Sequence, residues 1–249
     1  MCGLCGCSEN LNEMHHHVHD LADEVSMHQH NGEKIVQIEQ DILAKNNQFA
    51  ELNKKYFFAN NILALNIMSG PGAGKTTLLT KTISELKNQL SCAVIVGDQQ
   101  TDYDAQQLAS SGVQAIQVNT GKVCHLDAHM LGHAMDKLAL STNMTLFIEN
   151  IGNLVCPAMF GLGEHYKIVI LSVTEGDNKP VKYPEMFRFA DLMIITKMDF
   201  LPYVDFDVKR CVEYATRIKP SLKVLTLSAK MSFGLESWYD WLLQKRAAN

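Results

Sequence analysis

From Asn61 onward, short runs of apolar residues alternate with segments whose apolar positions recur at helical spacing. The runs Ile62–Met68, Ala93–Val96, Ala115–Val118, Thr145–Glu149, Lys167–Val173, Leu192–Thr196 and Lys223–Leu227 predict strands. Between and after them, Lys75–Gln89, Asp104–Ser110, His125–Leu140, Phe206–Ile218 and Leu235–Lys245 predict helices. Such alternation implies right-handed crossovers, hence an α/β fold with a mostly parallel sheet flanked by helices. Ligands then bind beyond the carboxyl ends of the strands. Leu235, Trp238 and Leu242 form a helical stripe that reads as core, and Glu175–Pro180 reads as a loop from its glycine and proline. Upstream, Ile35, Ile38, Ile42, Phe49, Leu52 and Tyr56 predict a helix, or a broken pair, over Glu33–Ala59. Residues 1–31 show no sustained apolar period. Three regions follow: a Cys/His-rich tail at 1–31, a helical lead-in at 32–60 and one α/β domain at 61–249.

The turn between the first strand and its helix carries chemistry. Ser69 is followed by Gly70, Pro71, Gly72, Ala73, Gly74, Lys75, Thr76 and Thr77, the spacing and strand–turn–helix context of a phosphate-binding Walker A loop. Glycines let backbone N–H groups wrap phosphates, and the helix N-terminus favours their charge. Lys75 is placed for the β- and γ-phosphates, and the Thr76 hydroxyl for Mg2+. Ser69 stands where a glycine is usual, which is tolerable if that residue needs no positive φ.

Base choice falls to two later strand ends. In Thr196-Lys197-Met198-Asp199, Asp199 offers a carboxylate for the adjacent N–H donors of guanine, while Lys197 lays its stem over the ring. Thr196 stands where asparagine is usual. Ser228-Ala229-Lys230 suits a loop that caps the guanine carbonyl. The ordered set favours GTP over ATP. Asp98 and Glu149 close two strands on the ligand edge, where a γ-phosphate and Mg2+ need carboxylates. Asp104 is a helix cap or a more distant partner, and Lys179 or Lys182 could reach phosphate or a partner protein.

Composition narrows the class. A net charge of -5 and a pI near 6.0 argue against nucleic-acid binding. No apolar run approaches the roughly 18 residues of a membrane span. With no basic residue before Lys34, the N-terminus lacks a signal or transit pattern, and a cytoplasmic protein is expected. Three of the seven cysteines, Cys2, Cys5 and Cys7, crowd the first seven residues, and six of the ten histidines lie between His15 and His30. Three thiolates so close suit a metal such as nickel or zinc, or else a redox cluster. The histidine stretch reads as a metal store or as a polar spacer. Cys124, His125 and Cys156 are either small buried groups or ligands of an ion shared across a two-fold interface. His129 and His133 follow His125 at four-residue steps and read first as a solvated face.

Taken together, Cys2…Cys5-Gly6-Cys7, Leu63–Asn66, Pro71–Thr77, Gly97–Thr101, Cys124–Ala128, Glu149–Pro157 and Lys179–Pro184 resemble the HypB family of hydrogenase nickel-incorporation proteins, SIMIBI-class P-loop GTPases. The resemblance spans almost the whole chain. It implies GTP hydrolysis, nickel delivery to the hydrogenase large subunit precursor, a HypA-type partner and a GTP-promoted homodimer. With no obvious arginine finger in the chain, slow intrinsic turnover is expected, and the ligand types leave zinc as a candidate competitor. The resemblance also implies that Cys124, His125 and Cys156 are interfacial metal ligands and that Cys2, Cys5 and Cys7 form a tight nickel site. A urease-type nickel chaperone is the nearer rival, but its Cys-Pro-His motif is replaced by Cys124-His125. A nickel store with secondary nucleotide binding is the other.

Overall fold

The computed structural model describes residues 21–99, 103–138 and 140–249. The chain divides into two units between Asp41 and Ile42. Helix α1 spans Leu21–Ala59, beginning well before the Glu33 start expected from apolar spacing. No proline interrupts that stretch, and its one glycine, Gly32, is the weakest helix former in it.

Seven strands form one parallel sheet: β1 (Leu63–Ser69), β2 (Cys92–Asp98), β3 (Gln114–Asn119), β4 (Thr145–Gly152), β5 (Tyr166–Ser172), β6 (Leu192–Thr196) and β7 (Lys223–Thr226), in the order β3-β2-β4-β1-β5-β6-β7. The central strand β1 is buried along its whole length, as an apolar run covered on both faces must be. Its side chains alternate between the two layers. Leu63, Leu65 and Ile67 pack with Leu78, Leu79, Trp238 and Leu242, whereas Ala64 packs with Phe57, Ile95 and Leu131. The predicted stripe of Leu235, Trp238 and Leu242 is core, and Trp238 Nε1 donates to Thr82 Oγ1 at 2.9 Å.

The connecting helices are α2 (Lys75–Leu86), α3 (Tyr103–Ala109), α4 (Ala128–Leu138), α5 (Cys156–Met159), α6 (Lys179–Lys182), α7 (Pro184–Phe189), α8 (Val208–Ile218) and α9 (Leu235–Ala247). Two expectations are corrected. The helix expected from His125 starts later: Asp127 Oδ1 accepts from Met130 N at 2.7 Å, so α4 begins after this capping carboxylate. The stretch Glu175–Pro180 is not all loop. Val173–Glu175 forms a 3-10 turn capped reciprocally by Ser172 and Glu175, and Pro180 sits within the first turn of α6, where its missing N–H costs nothing.

Candidate nucleotide and metal sites

The β1–α2 turn has the geometry its sequence promised. Gly72 and Gly74 take φ of 71° and 98°, conformations that suit glycine, and Gly74 leads directly into α2. Ser69 lies within β1 and needs no positive φ, so its hydroxyl is tolerated and used. Lys75 Nζ donates to Ser69 Oγ at 3.0 Å, and that hydroxyl donates to the Gly70 carbonyl at 2.6 Å. Burial holds the Lys75 ammonium below its ordinary range, against the pull of Glu149, Asp104, Glu175 and Asp98. A phosphate chain in the turn would add the charge that this cation is short of.

Parallel pairing sets Glu149 beside Ile67 of β1 and Val96 of β2, next to the turn. Its Oε1 accepts from Thr76 Oγ1 at 2.8 Å; among the described residues its buried Oε2 meets no donor. Burial pushes this carboxyl up to about 7, although Lys75 and the Thr76 hydroxyl pull it down. Asp98 ends β2, and its Oδ1 accepts from the Gln99 N–H at 2.6 Å. Thr76, Glu149 and Asp98 thus approach the turn from α2, β4 and β2. Asp104 lies in the first turn of α3.

The base loops meet on the other flank. Ala73, Gly74, Thr196, Lys197, Asp199 and Ser228 are among the residues lining a cavity of about 140 Å³, with Ala229 and Lys230 completing that wall. Thr196 Oγ1 donates to the Ala73 carbonyl at 2.7 Å, so the hydroxyl supplies a brace between the base loop and the phosphate turn. Lys197 adopts φ 58° and its Nζ reaches the Gly72 carbonyl at 2.7 Å, laying the stem along the cavity wall. Asp199 Oδ1 accepts from Ser228 Oγ at 2.5 Å, which fixes the carboxylate.

One residue was missed in the sequence. Glu175 packs against Gly70 so closely that a Cβ there would collide with its carboxylate. Burial raises its pKa, while the Ser172 N–H and the charges of Lys179, Lys197 and Lys75 lower it. Its position depends on β5 lying beside β1, which no local pattern announces.

Cys124, His125 and Cys156 are brought together, with all three ligand atoms within 4.8 Å of one another. Cys124 Sγ lies 2.7 Å from Cys156 Sγ and 3.8 Å from His125 Nδ1. Both adjacent side chains turn inward because they lie in an irregular turn and not on a helix. His125 stacks on Phe160 with ring centroids 3.9 Å apart, and burial lowers its pKa, favouring the neutral imidazole a metal requires. The remaining described thiols differ. Burial pushes Cys92 up to about 11 and Cys211 up to about 12, the behaviour of packing residues. Cys2, Cys5, Cys7 and the His15–His19 stretch lie outside the described residues.

The strand-end stretch from Glu149 to Cys156 joins the two sites. Asn150 Oδ1 accepts from the Leu126 N–H at 3.1 Å, and Asn153 Nδ2 donates to the Cys124 carbonyl at 3.2 Å. The parallel sheet, the phosphate turn and the two base loops define a nucleotide-binding protein of the SIMIBI P-loop type. Residues 63–226 match the CobW/HypB/UreG nucleotide-binding domain family. The hydrogenase maturation factor HypB of Rhizobium leguminosarum bv. viciae is 54% identical over 210 residues, covering 84% of this chain and 70% of that protein. The Helicobacter pylori hydrogenase/urease maturation factor HypB is 41% identical over 220 residues, covering 87% of this chain and 90% of that one. The crystal structure of the H. pylori HypB in complex with nickel superposes with a TM-score of 0.79 at 41% identity, covering 82% of this chain and 96% of that one. That of Archaeoglobus fulgidus HypB gives 0.77 at 39% identity, over 82% and 100%. The chain belongs to the HypB family.

Proposed function

We propose that this chain is a GTP-hydrolysing metallochaperone that delivers nickel during [NiFe]-hydrogenase maturation in the cytoplasm, as a GTP-promoted homodimer working with a HypA-type partner on the hydrogenase large subunit precursor. The observation that carries the reading is the Cys124–His125–Cys156 cluster, reached from the phosphate turn through a single strand end. A soft thiolate pair plus imidazole suits a borderline divalent ion such as nickel, with zinc as competitor. The nickel complex of the H. pylori relative supports the same cargo.

In this reading Gly70, Pro71, Gly72, Ala73, Gly74, Lys75 and Thr77 cradle the phosphates. Asp199, Lys197, Ser228, Ala229 and Lys230 select guanine. Thr76, Glu149 and Asp98 hold Mg2+; the Glu149 carboxylate, with Oε1 at the Thr76 hydroxyl and a buried Oε2 that meets no donor among the described residues, is the oxygen donor set a hard cation takes. When bound, Mg2+ would neutralise charge on the β- and γ-phosphates. Lys75 stabilises the same charge, and Glu149 or Asp98 orients the attacking water. Loss of the γ-phosphate frees these carboxylates, and the stretch to Cys156 relaxes with them. Cys2, Cys5 and Cys7 supply a tighter nickel site in the tail.

The test compares Ni2+ affinity at the domain site with GDP and with a non-hydrolysable GTP analogue, in a full-length variant whose Cys2, Cys5 and Cys7 are Ala. Different affinities support the switch; identical ones refute it. A Lys75→Ala variant should retain nickel yet fail to support hydrogenase maturation. Maturation that survives this change would favour simple storage.

A further inference from the structure

Two asparagines of α1 turn toward the segments that carry the cysteine–histidine cluster. Asn46 and Asn53 stand two turns apart on one face of that helix, and both are buried, while Lys45, Asn47 and Lys54 beside them are exposed. A buried amide is costly unless its donor and its acceptor are both used. Asn46 uses both: its Oδ1 accepts from the Ala128 N–H at 2.9 Å, and its Nδ2 donates to the Gly161 carbonyl at 2.8 Å. Two turns on, Asn53 Nδ2 donates to the Ala128 and Leu162 carbonyls.

The residues tied in this way flank the cluster. Ala128 opens α4, so its N–H is one of the donors that a helix start leaves unpaired. It lies three residues past His125, and Gly161 lies five past Cys156. One amide thus spans the turn that bears Cys124 and His125 and the segment that follows Cys156. At the sulfur end the same two segments meet through the thiols and through the Asn153 bond to the Cys124 carbonyl. At the imidazole end His125 stacks on Phe160, the residue before Gly161, and Asn46, His125 and Phe160 line one cavity of about 290 Å³. An imidazole binds metal along a single lone-pair direction, so its ring must be aimed by what surrounds it. Stacking aims the ring only while Phe160 is held beside it. An aspartate at 46 would set a second acceptor against the Gly161 carbonyl, and an aliphatic residue would offer neither group.

We propose that Asn46 is a positioning residue of the metal site: by holding Ala128 and Gly161 at a fixed separation, it aims His125 at the ion that Cys124 and Cys156 bind. Asn46 itself touches no metal. The proposal rests on the reading of the cluster as the nickel site, and it gives α1 a part in metal geometry beyond its packing on the sheet.

The test follows thiolate-to-nickel charge-transfer absorption during Ni2+ addition to the full chain with Cys2, Cys5 and Cys7 changed to Ala. Beside this parent run the same chain with Asn46→Ala, with His125→Ala and with both. Asn46→Ala should weaken Ni2+ binding at least about tenfold and move the band to where His125→Ala puts it. The double variant should bind no more weakly than His125→Ala alone, since a misaimed ring and a missing one are the same loss. Unchanged GDP affinity should show that the fold is intact. Asn46→Asp keeps the cap on Ala128 and loses the bond to Gly161; it should move the band in the same way, and it decides the matter if the alanine variant does not fold. A band and an affinity that neither change at Asn46 alters overturn the proposal. So do losses that multiply in the double variant, because Asn46 would then act by some route other than His125. Absence of the band from the parent would instead remove the nickel reading of the cluster, and the proposal with it, so the two failures are distinguishable.

Discussion

Gly152 ends β4 against the phosphate turn, and replacing it with alanine tests how tightly the two are joined. A Cβ added there would lie 2.9 Å from the Pro71 Cα, 3.1 Å from its nitrogen and 3.3 Å from its Cβ. Carbon atoms pack best at about 3.5–4.0 Å, so Pro71 or the end of β4 must retreat by roughly 0.5 Å or more. Two of these are backbone atoms of the turn and the third belongs to the rigid proline ring, so no flexible side chain can absorb the shift. Overpacking of this kind costs about 1–3 kcal/mol of folding stability. The same retreat opens the phosphate cradle, and a displacement of this order should weaken nucleotide binding about tenfold. Gly97→Ala is the control, since its Cβ would make only ordinary contacts of 3.5–3.7 Å with Leu126, Glu149 and Ile151. Urea unfolding gives the stability change, and fluorescent GDP titration gives the affinity. Equal GDP affinity for the Gly152→Ala and Gly97→Ala proteins would refute the reasoning, because the contact with Pro71 would then not govern the cradle.

Asn53 Nδ2 donates to the Ala128 and Leu162 carbonyls at 2.8 and 3.1 Å, so Asn53→Ala strips both of this buried donor. It should cost about 1–3 kcal/mol in urea unfolding, against about 0.5 kcal/mol or less for Asn60→Ala, whose side chain bonds only to the Tyr56 carbonyl at the surface. Asp199→Asn removes the acceptor for guanine's two donors. It should weaken GTP about a hundredfold in competition against labelled GDP, with xanthosine triphosphate, which carries a carbonyl in place of the amine, losing less. The Arg210 guanidinium and the Asp207 N–H hold the Asp177 carboxyl below its ordinary 3.8. Its contribution is therefore present above that value and lost as pH falls through the depressed one. Asp177→Asn should lower Tm at pH 7, and the two proteins should converge in strong acid; a pH-independent difference would contradict this assignment.

The strands were legible because a parallel sheet covered on both faces demands continuous apolar runs; every expected strand is present, Leu192–Thr196 with the expected bounds and the others with ends shifted by one to three residues. The phosphate turn was legible because its chemistry is local. Helices α5, α6 and α7 were not, since four to six residues are too few to show a helical period. The convergence of Cys124 with His125 was not evident while a helix was expected to start at His125. The Asp127 cap moves the helix start past both residues. Thr196 looked like a lost contact, yet its bond to Ala73 braces the loop in place of one. Glu175 could not be found from the chain, because its partner Gly70 is remote in sequence and becomes a neighbour only when β5 pairs with β1.

The coupling between nucleotide and metal that the proposed function requires would be carried by the stretch from Glu149 to Cys156. Glu149 is fastened to Thr76 at one end, and Gly152 abuts Pro71. Further along, Asn150 holds the Leu126 N–H and Asn153 holds the Cys124 carbonyl, so the loop bearing Cys124 and His125 is tied to the segment that runs from the end of β4 to Cys156 at the start of α5. A displacement at Glu149 cannot be absorbed by a free loop before it reaches Cys156, because three intervening contacts fix the register. Linkage then requires reciprocity: whatever factor GTP in place of GDP imposes on metal affinity, metal must impose on the preference for GTP over GDP. An Asn153→Ala substitution, which touches neither the phosphate turn nor a thiol, should shrink both factors together. If it changed one and left the other, the two sites would be connected by some route other than this strand end.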